Sequence, residues 1–338
     1  MNSILESQNT AKTSGIALPT SRAHAESLAE QIVGLVSRFR RLTEDAACVN
    51  QPCHRCESPH LGAAKNAILA RQPIEFALPG FPAKSPSLRK VLGYLPDEAE
   101  HRALTFLNDL CEQIRTMYEP GARVIICSDG RVFGDYVGIP DPHITAYQDE
   151  LAAMLRSFPH LAAYNLDDKW PGATFDEMRE RLTAEYADSQ DAIREAVKSD
   201  PDTRRLHLGM SRFLFEDQKG RTQESNRQLQ LRAKEGAIGV IQRSKAWGAL
   251  VAEQFPGALR LSIHPQPCGA SKLGIRLGRT PDVWLTPWHS VAVKIGNTFH
   301  LMKRHEAEAA GARIVRVDGK NSHMTFDDGD FAVGSASL

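Results

Sequence analysis

Between residues 98 and 166 the chain switches repeatedly between helical and strand periodicity, and few architectures accept that order of elements. Leu104, Leu107, Leu110, Ile114 and Met117 recur at helical spacing, with polar residues opposite, over residues 98 to 118. The apolar run Arg123 to Cys127 follows at once and stops at Ser128-Asp129-Gly130. A second helical pattern, from about Ile144 to Phe158, leads into another strand-like run, Leu161 to Leu166. Strands separated by helices return in the same direction, so the pattern predicts an α/β chain with a parallel, Rossmann-like mixed sheet.

The flanking segments extend this plan. Residues 1–22 are polar and aperiodic and read as a mobile leader. Leu28, Ile32, Leu35, Val36 and Phe39 give a first amphipathic helix that ends before a cysteine run. Residues 72–97 hold five prolines and read as an ordered irregular loop, so residues 23–120 are expected to be a helical region with a proline-rich loop. Thr174 with Glu177 forms a capping box that opens a helix to about Lys198, and more helix follows to about Phe255. Short strands are expected at 258–264, 272–277, 283–285, 290–295 and 312–317, with a small helix near 303–310, making residues 121–320 the catalytic unit and 321–338 a tail.

Charge excludes some function classes. Lys plus Arg and Asp plus Glu number 41 each, so no global field draws the chain to nucleic acid or an anionic membrane. No apolar run reaches membrane-spanning length and no signal segment opens the chain, so a cytoplasmic protein is expected. The six cysteines are sparse for 338 residues, and disulfides are not indicated. Cys48, Cys53, Cys56 and His60 have the ligand types of a zinc site, but the run is compact and Cys268 is distant in sequence. Reduced thiols at a loop or helix start are the expected reading, with no bound metal.

In open α/β sheets ligands lie beyond the carboxyl ends of the strands, which points to Ser128-Asp129-Gly130-Arg131. Asp129 offers a base and Arg131 a donor fork, although Asp-Gly is also a common turn. Downstream, alternation puts Arg260, Ser262 and His264 on one strand face and Lys272, Gly274 and Arg276 on the next, read as a hairpin joined by residues 265–271. Arg260, His264, Lys272 and Arg276 then share a polar face without a carboxylate, which suits a phosphate or carboxylate ligand. Lys245 falls on the helical stripe of Ile238, Ile241 and Gly248, where it either snorkels or faces a cleft, with Arg243 beside it. His289 precedes an apolar strand; Lys84, Ser85, Arg89 and Lys90 form a second basic cluster, with no acid until Asp97. His207 and Arg212 share a helix with Met210 and Phe213 and rank lower.

Leu78 to Asp97, Ser128 to Asp135, Ile238 to Gly248, Leu259 to Gln266 and Thr286 to His289 together resemble the pyoverdine/dityrosine biosynthesis family, the isonitrile synthases. The resemblance runs over roughly residues 45–300. It implies conversion of the α-amine of tyrosine or tryptophan to an isonitrile, with the new carbon from C2 of ribulose 5-phosphate. It also implies a pathway partner, an iron and 2-oxoglutarate-dependent oxygenase. On that reading Lys84, Lys90, Arg131, Arg260, Lys272 and Arg276 meet anionic groups and Arg243 the amino-acid carboxylate. Lys245, His264, His289 and Asp129 move protons. The reaction as implied needs no cofactor. The rivals are a phosphosugar isomerase or aldolase-like lyase, and a zinc-stabilised binding module.

Overall fold

The computed structural model describes residues 21–43, 48, 53–279 and 285–326. The leader up to residue 20, most of the expected 283–285 strand and the end of the tail lie outside them. The elements run α1 (Arg22–Ser37), α2 (His54–Leu69), β1 (Ile74–Pro79), α3 (Glu98–Met117), β2 (Ala122–Cys127), α4 (Gly130–Val137), α5 (Asp141–Leu155) and β3 (Leu161–Tyr164). Helices α6 (Leu166–Lys169), α7 (Phe175–Tyr186), α8 (Gln190–Ser199), α9 (Pro201–Gln218) and α10 (Asn226–Gln254) follow. The chain then forms β4 (Leu259–Ser262), β5 (Leu273–Gly274), a 3-10 turn at Pro287–His289, β6 (Val291–Ile295), β7 (Thr298–Met302), α11 (Arg304–Ala309), β8 (Arg313–Val317) and β9 (Lys320–Thr325).

The main sheet has the order β3-β2-β1-β4-β5 and every pair is parallel. Period-two alternation divides its side chains between two cores. Phe76, Leu78, Val124 and Ile126 pack with residues of α1, α3 and α5, while Ala77, Ile125 and Cys127 meet Met178, Leu182, Trp247 and Leu250 from α7 and α10. Both faces are covered, as a parallel sheet requires. A second sheet, β7-β6-β9-β8, stands beside it, built on Val291, Val293, Ala307 and Met324.

Four expectations need correction. The proline-rich stretch contains β1, the central strand, so the sheet crosses the expected boundary at residue 120. Pro79 is tolerated there because it is the last residue of the strand. Strands β4 and β5 pair in parallel, Leu261 against Leu273 and Ser262 against Gly274, so residues 263–272 form a crossover and not a hairpin turn. The long helix expected after Thr174 breaks at Ala187, and Ser189 caps a new one. Strand β9 occupies the start of the expected tail.

Candidate active site

The sheet reverses its direction of growth at β1. The chain passes from β1 to β2 and β3 on one side, then returns through α6–α10 to place β4 on the other. Such a switch point opens a crevice at the carboxyl ends of the strands. Here its walls are the loops after β1, β2 and β4, closed by the Pro287–His289 turn.

Backbone fit makes the walls rigid. Gly130, which starts α4, lies so close to the β1 loop that a Cβ there would be 1.9 Å from the Pro82 carbonyl oxygen. Gly274 meets the same limit, since its Cβ would be 2.3 Å from the Arg41 oxygen and 3.0 Å from that of His264. Phe81 is fully buried at φ 53°, a left-handed conformation that costs a non-glycine residue energy. Its ring lies 5.1 Å from Trp288 and its carbonyl accepts from Ser128 Oγ at 2.8 Å, so packing and a hydrogen bond hold the strained loop.

Asp129 precedes α4 yet makes no capping bond, and its Oδ1 is buried with no hydrogen-bond partner. Burial pushes its pKa from 3.8 up to about 7. A carboxyl that titrates near neutrality at the end of a central strand is poised to give and take a proton. Arg260 projects from β4 to α10, donating to the Gly248 carbonyl at 3.1 Å. Lys272 reaches the same point, with Nζ 3.9 Å from where a Gly248 Cβ would stand. Burial and then Arg260 lower the Lys272 pKa, and burial lowers that of Arg260. Neither cation has a carboxylate at ion-pair distance among the described residues. Arg260 also keeps Nε buried and unpaired.

Two imidazoles complete the crevice. His264 is solvent-accessible, yet the enclosing walls, then Arg41 and Lys272, lower its pKa. His289 packs its ring 5.0 Å from Phe213 and leaves Nδ1 buried without a partner. Burial, followed by Lys90, Lys84 and His264, pulls its pKa down to about 3. Both rings are therefore neutral at physiological pH. Arg260, Lys272, His264 and His289 thus come within electrostatic reach, each of the next, while Asp129 lies in the loop after β2.

The remaining expected residues are committed elsewhere. Lys84 is fully buried, with Nζ 2.9 Å from Asp97, 2.6 Å from Glu100 and 3.1 Å from the Pro287 carbonyl. Asp97 and Glu100 also form the capping box of α3, and Tyr147 donates to Glu100 at 3.3 Å. Burial and the Glu100 charge raise the Asp97 pKa to about 7, against the pull of Lys84. Lys90 pairs with the buried Asp217, which Ser85 Oγ also reaches at 3.3 Å. The two lysines therefore tie the β1 loop to α3 and α9; acids from other helices supply what the local sequence lacks.

Arg131 bonds Asp167 and lies 4.0 Å over Phe175. Arg243 bonds both oxygens of Asp135, at 2.7 and 2.9 Å, and covers Tyr136 at 4.4 Å, fixing α4 against α10. Arg276 donates to the Arg38 carbonyl at 3.2 Å and lines a cavity with Arg41, Arg102 and Arg279. Lys245 is exposed, with Asp200 as a charged neighbour. Its apolar stripe is real as far as Ile238 and Ile241, which pack on Ile193 of α8. Helix α8 stops at Ser199, so one turn later Lys245 emerges beyond its end. His207 is half-buried and bonded to the Lys234 carbonyl, and Arg212 pairs with Glu216.

The thiols differ most from expectation. Cys268 joins Cys48, Cys53 and Cys56, and the four Sγ atoms lie within 4.8 Å of one another. His60 sits on α2 outside this group.

A parallel α/β sheet with a topological switch point, and buried titratable groups on the loops beyond its strand ends, is the architecture of an α/β enzyme. The family described as Pyoverdine/dityrosine biosynthesis protein matches residues 65–315, and the chain belongs to it. The L-tryptophan isonitrile synthase AmbI2 of Fischerella ambigua is 43% identical over 305 residues, 89% of this chain and 92% of that protein. An L-tyrosine isonitrile synthase of Pseudomonas aeruginosa is 47% identical over 278 residues, 80% of this chain and 84% of the relative. The crystal structure of PvcA from Pseudomonas aeruginosa superposes with a TM-score of 0.84 at 43% identity, covering 89% of this chain and all of that one.

Proposed function

We propose that the chain is an isonitrile synthase that acts on the α-amine of tyrosine or tryptophan and takes its new carbon from ribulose 5-phosphate. The observation that carries this reading is the neighbouring pair Arg260 and Lys272, cations without a carboxylate partner among the described residues, with Asp129, a carboxyl that titrates at about 7, in the loop after β2. The kinship to relatives named for tyrosine and tryptophan isonitrile formation supports the substrate class. Arg260 and Lys272 hold the sugar phosphate. Addition of the amine to the ketone gives a carbinolamine, and protonated Asp129 donates to the hydroxyl that leaves as water. His264, neutral and accessible, receives protons in the shifts that precede phosphate loss and carbon–carbon cleavage. His289 stays neutral throughout the physiological range and orients substrate by hydrogen bonds.

On this reading Lys84, Lys90, Arg131 and Arg243 fix the walls, and Lys245 and Arg276 lie outside the reacting centre. An iron and 2-oxoglutarate-dependent oxygenase is the proposed consumer of the product. The reading is tested by substrate omission: turnover of ribulose 5-phosphate should require tyrosine or tryptophan. Consumption of the sugar phosphate alone, unchanged by either amino acid, would instead mark a phosphosugar isomerase or lyase.

A further inference from the structure

The geometry points to a structural zinc site formed by Cys48, Cys53, Cys56 and Cys268, separate from the crevice and from the function proposed for it. Cys53 stands at the N-cap of α2 and Cys56 in its first turn, while Cys48 lies in the preceding connection. Cys268 comes from the β4–β5 crossover, 212 residues beyond Cys56. The Sγ–Sγ separations are 3.3 Å for Cys48–Cys56, 3.7 Å for Cys53–Cys56, and 3.5 Å for Cys268 to each of Cys53 and Cys56. Four sulfurs about 2.3 Å from one zinc ion, at tetrahedral angles, lie roughly 3.8 Å apart. The thiols therefore stand close to the edges of a tetrahedron of the right size, and all four are free.

The surrounding backbone assembles this cage independently of the sulfurs. Arg41 N–H donates to the Gly274 carbonyl at 2.7 Å, Gln266 N–H to Arg41 at 3.0 Å and Thr43 N–H to Gln266 at 3.1 Å. Residues 41–43 are thus laid along both ends of the crossover. Cys268 occupies a tight turn closed by Ala270 N–H on the Pro267 carbonyl at 3.2 Å, with Gly269 at φ 83°. The N-terminus of α2 and the Arg40 guanidinium, which donates to the Cys48 carbonyl, supply positive potential beside the sulfurs.

Binding is written as one Zn²⁺ plus four thiols giving a tetrathiolate complex of charge −2 and four protons. Four protein sulfurs fill the tetrahedron and leave no place for water or substrate, so the ion is structural. Its effect is to clamp α2 to the crossover that carries His264 and Lys272, and so to set the cationic wall of the crevice.

The test is metal analysis of the full chain purified under reducing conditions without added chelator. About one zinc per chain is expected, with X-ray absorption showing four sulfurs at roughly 2.3 Å. A thiol-specific mercurial should release that zinc as four cysteines react. Cys268→Ser should lower zinc retention and melting temperature, while Cys111→Ser keeps full zinc. If Cys268→Ser does not fold, the absorption spectrum of the wild-type protein still decides the matter. A chain carrying no zinc, with these thiols open to reagent, would overturn the proposal. So would disulfides seen as lost hydrogens in the intact mass, bound iron in place of zinc, or a zinc shell containing nitrogen or oxygen.

Discussion

Replacing Asp129 with asparagine should stabilise the fold at alkaline pH by an amount that vanishes in acid. The carboxyl titrates at about 7 in the folded chain against 3.8 when unperturbed. Its folded pKa is raised, so the native state binds the extra proton, and stability from this group is full below the unfolded value. It falls as pH rises from about 4 to 7 and stays low above that window. At about 1.36 kcal/mol per unit, the penalty approaches roughly 4 kcal/mol at pH 8.5 and is about 1–2 kcal/mol at pH 5. Urea unfolding of wild type and Asp129→Asn at those two pH values isolates the difference, because any packing cost of the amide is common to both. The variant should gain about 2–3 kcal/mol relative to wild type between pH 5 and pH 8.5, while losing turnover at both. An identical stability difference at the two pH values would show that the carboxyl is ordinarily solvated and that its proposed proton role is unsupported.

Further outcomes follow from the same geometry. His289, pulled from 6.5 down to about 3, stabilises the fold fully above pH 6.5 and loses that contribution as pH falls toward 3. His289→Gln should therefore flatten the loss of stability between pH 7 and 4.5 by about 2–3 kcal/mol, and parallel pH profiles would rule this out. Lys84→Met leaves Asp97 and Glu100 buried without their counter-ion and should cost about 3–5 kcal/mol in chemical unfolding; a change below 1 kcal/mol would mean that water enters the triad. Arg260→Met should raise KM for ribulose 5-phosphate at least tenfold, the loss of about one charge-assisted hydrogen bond, with KM for the amino acid little changed. Equal effects on both constants would remove Arg260 from the phosphate site.

Legibility in the sequence followed how local the physical cause was. Helix α3, strand β2 and helix α5 were readable because each carries its burial pattern within one segment. Strand β1 was not: six residues buried largely on both faces show no alternation, and the prolines around them suggest a loop. Alternation placed Leu259 and Leu261 in the core with Arg260 on the opposite face, but face periodicity carries no strand direction, hence the mistaken hairpin. Site residues behaved alike. Asp129, His264 and His289 stood out as candidates because they follow or flank strand ends, whereas Asp217 and Glu100 gave no local sign of being the partners of Lys90 and Lys84. The fourth thiol, Cys268, lies on a crossover whose path no spacing rule foretells.

The most direct measurement is mass spectrometry of the purified chain incubated with tyrosine or tryptophan and ribulose 5-phosphate carrying carbon-13 at C2. An aromatic isonitrile that contains the label is expected, formed only when both substrates are present and absent with Asp129→Asn. Sugar phosphate consumed without a labelled isonitrile, or no reaction with either amino acid, would contradict the proposed function.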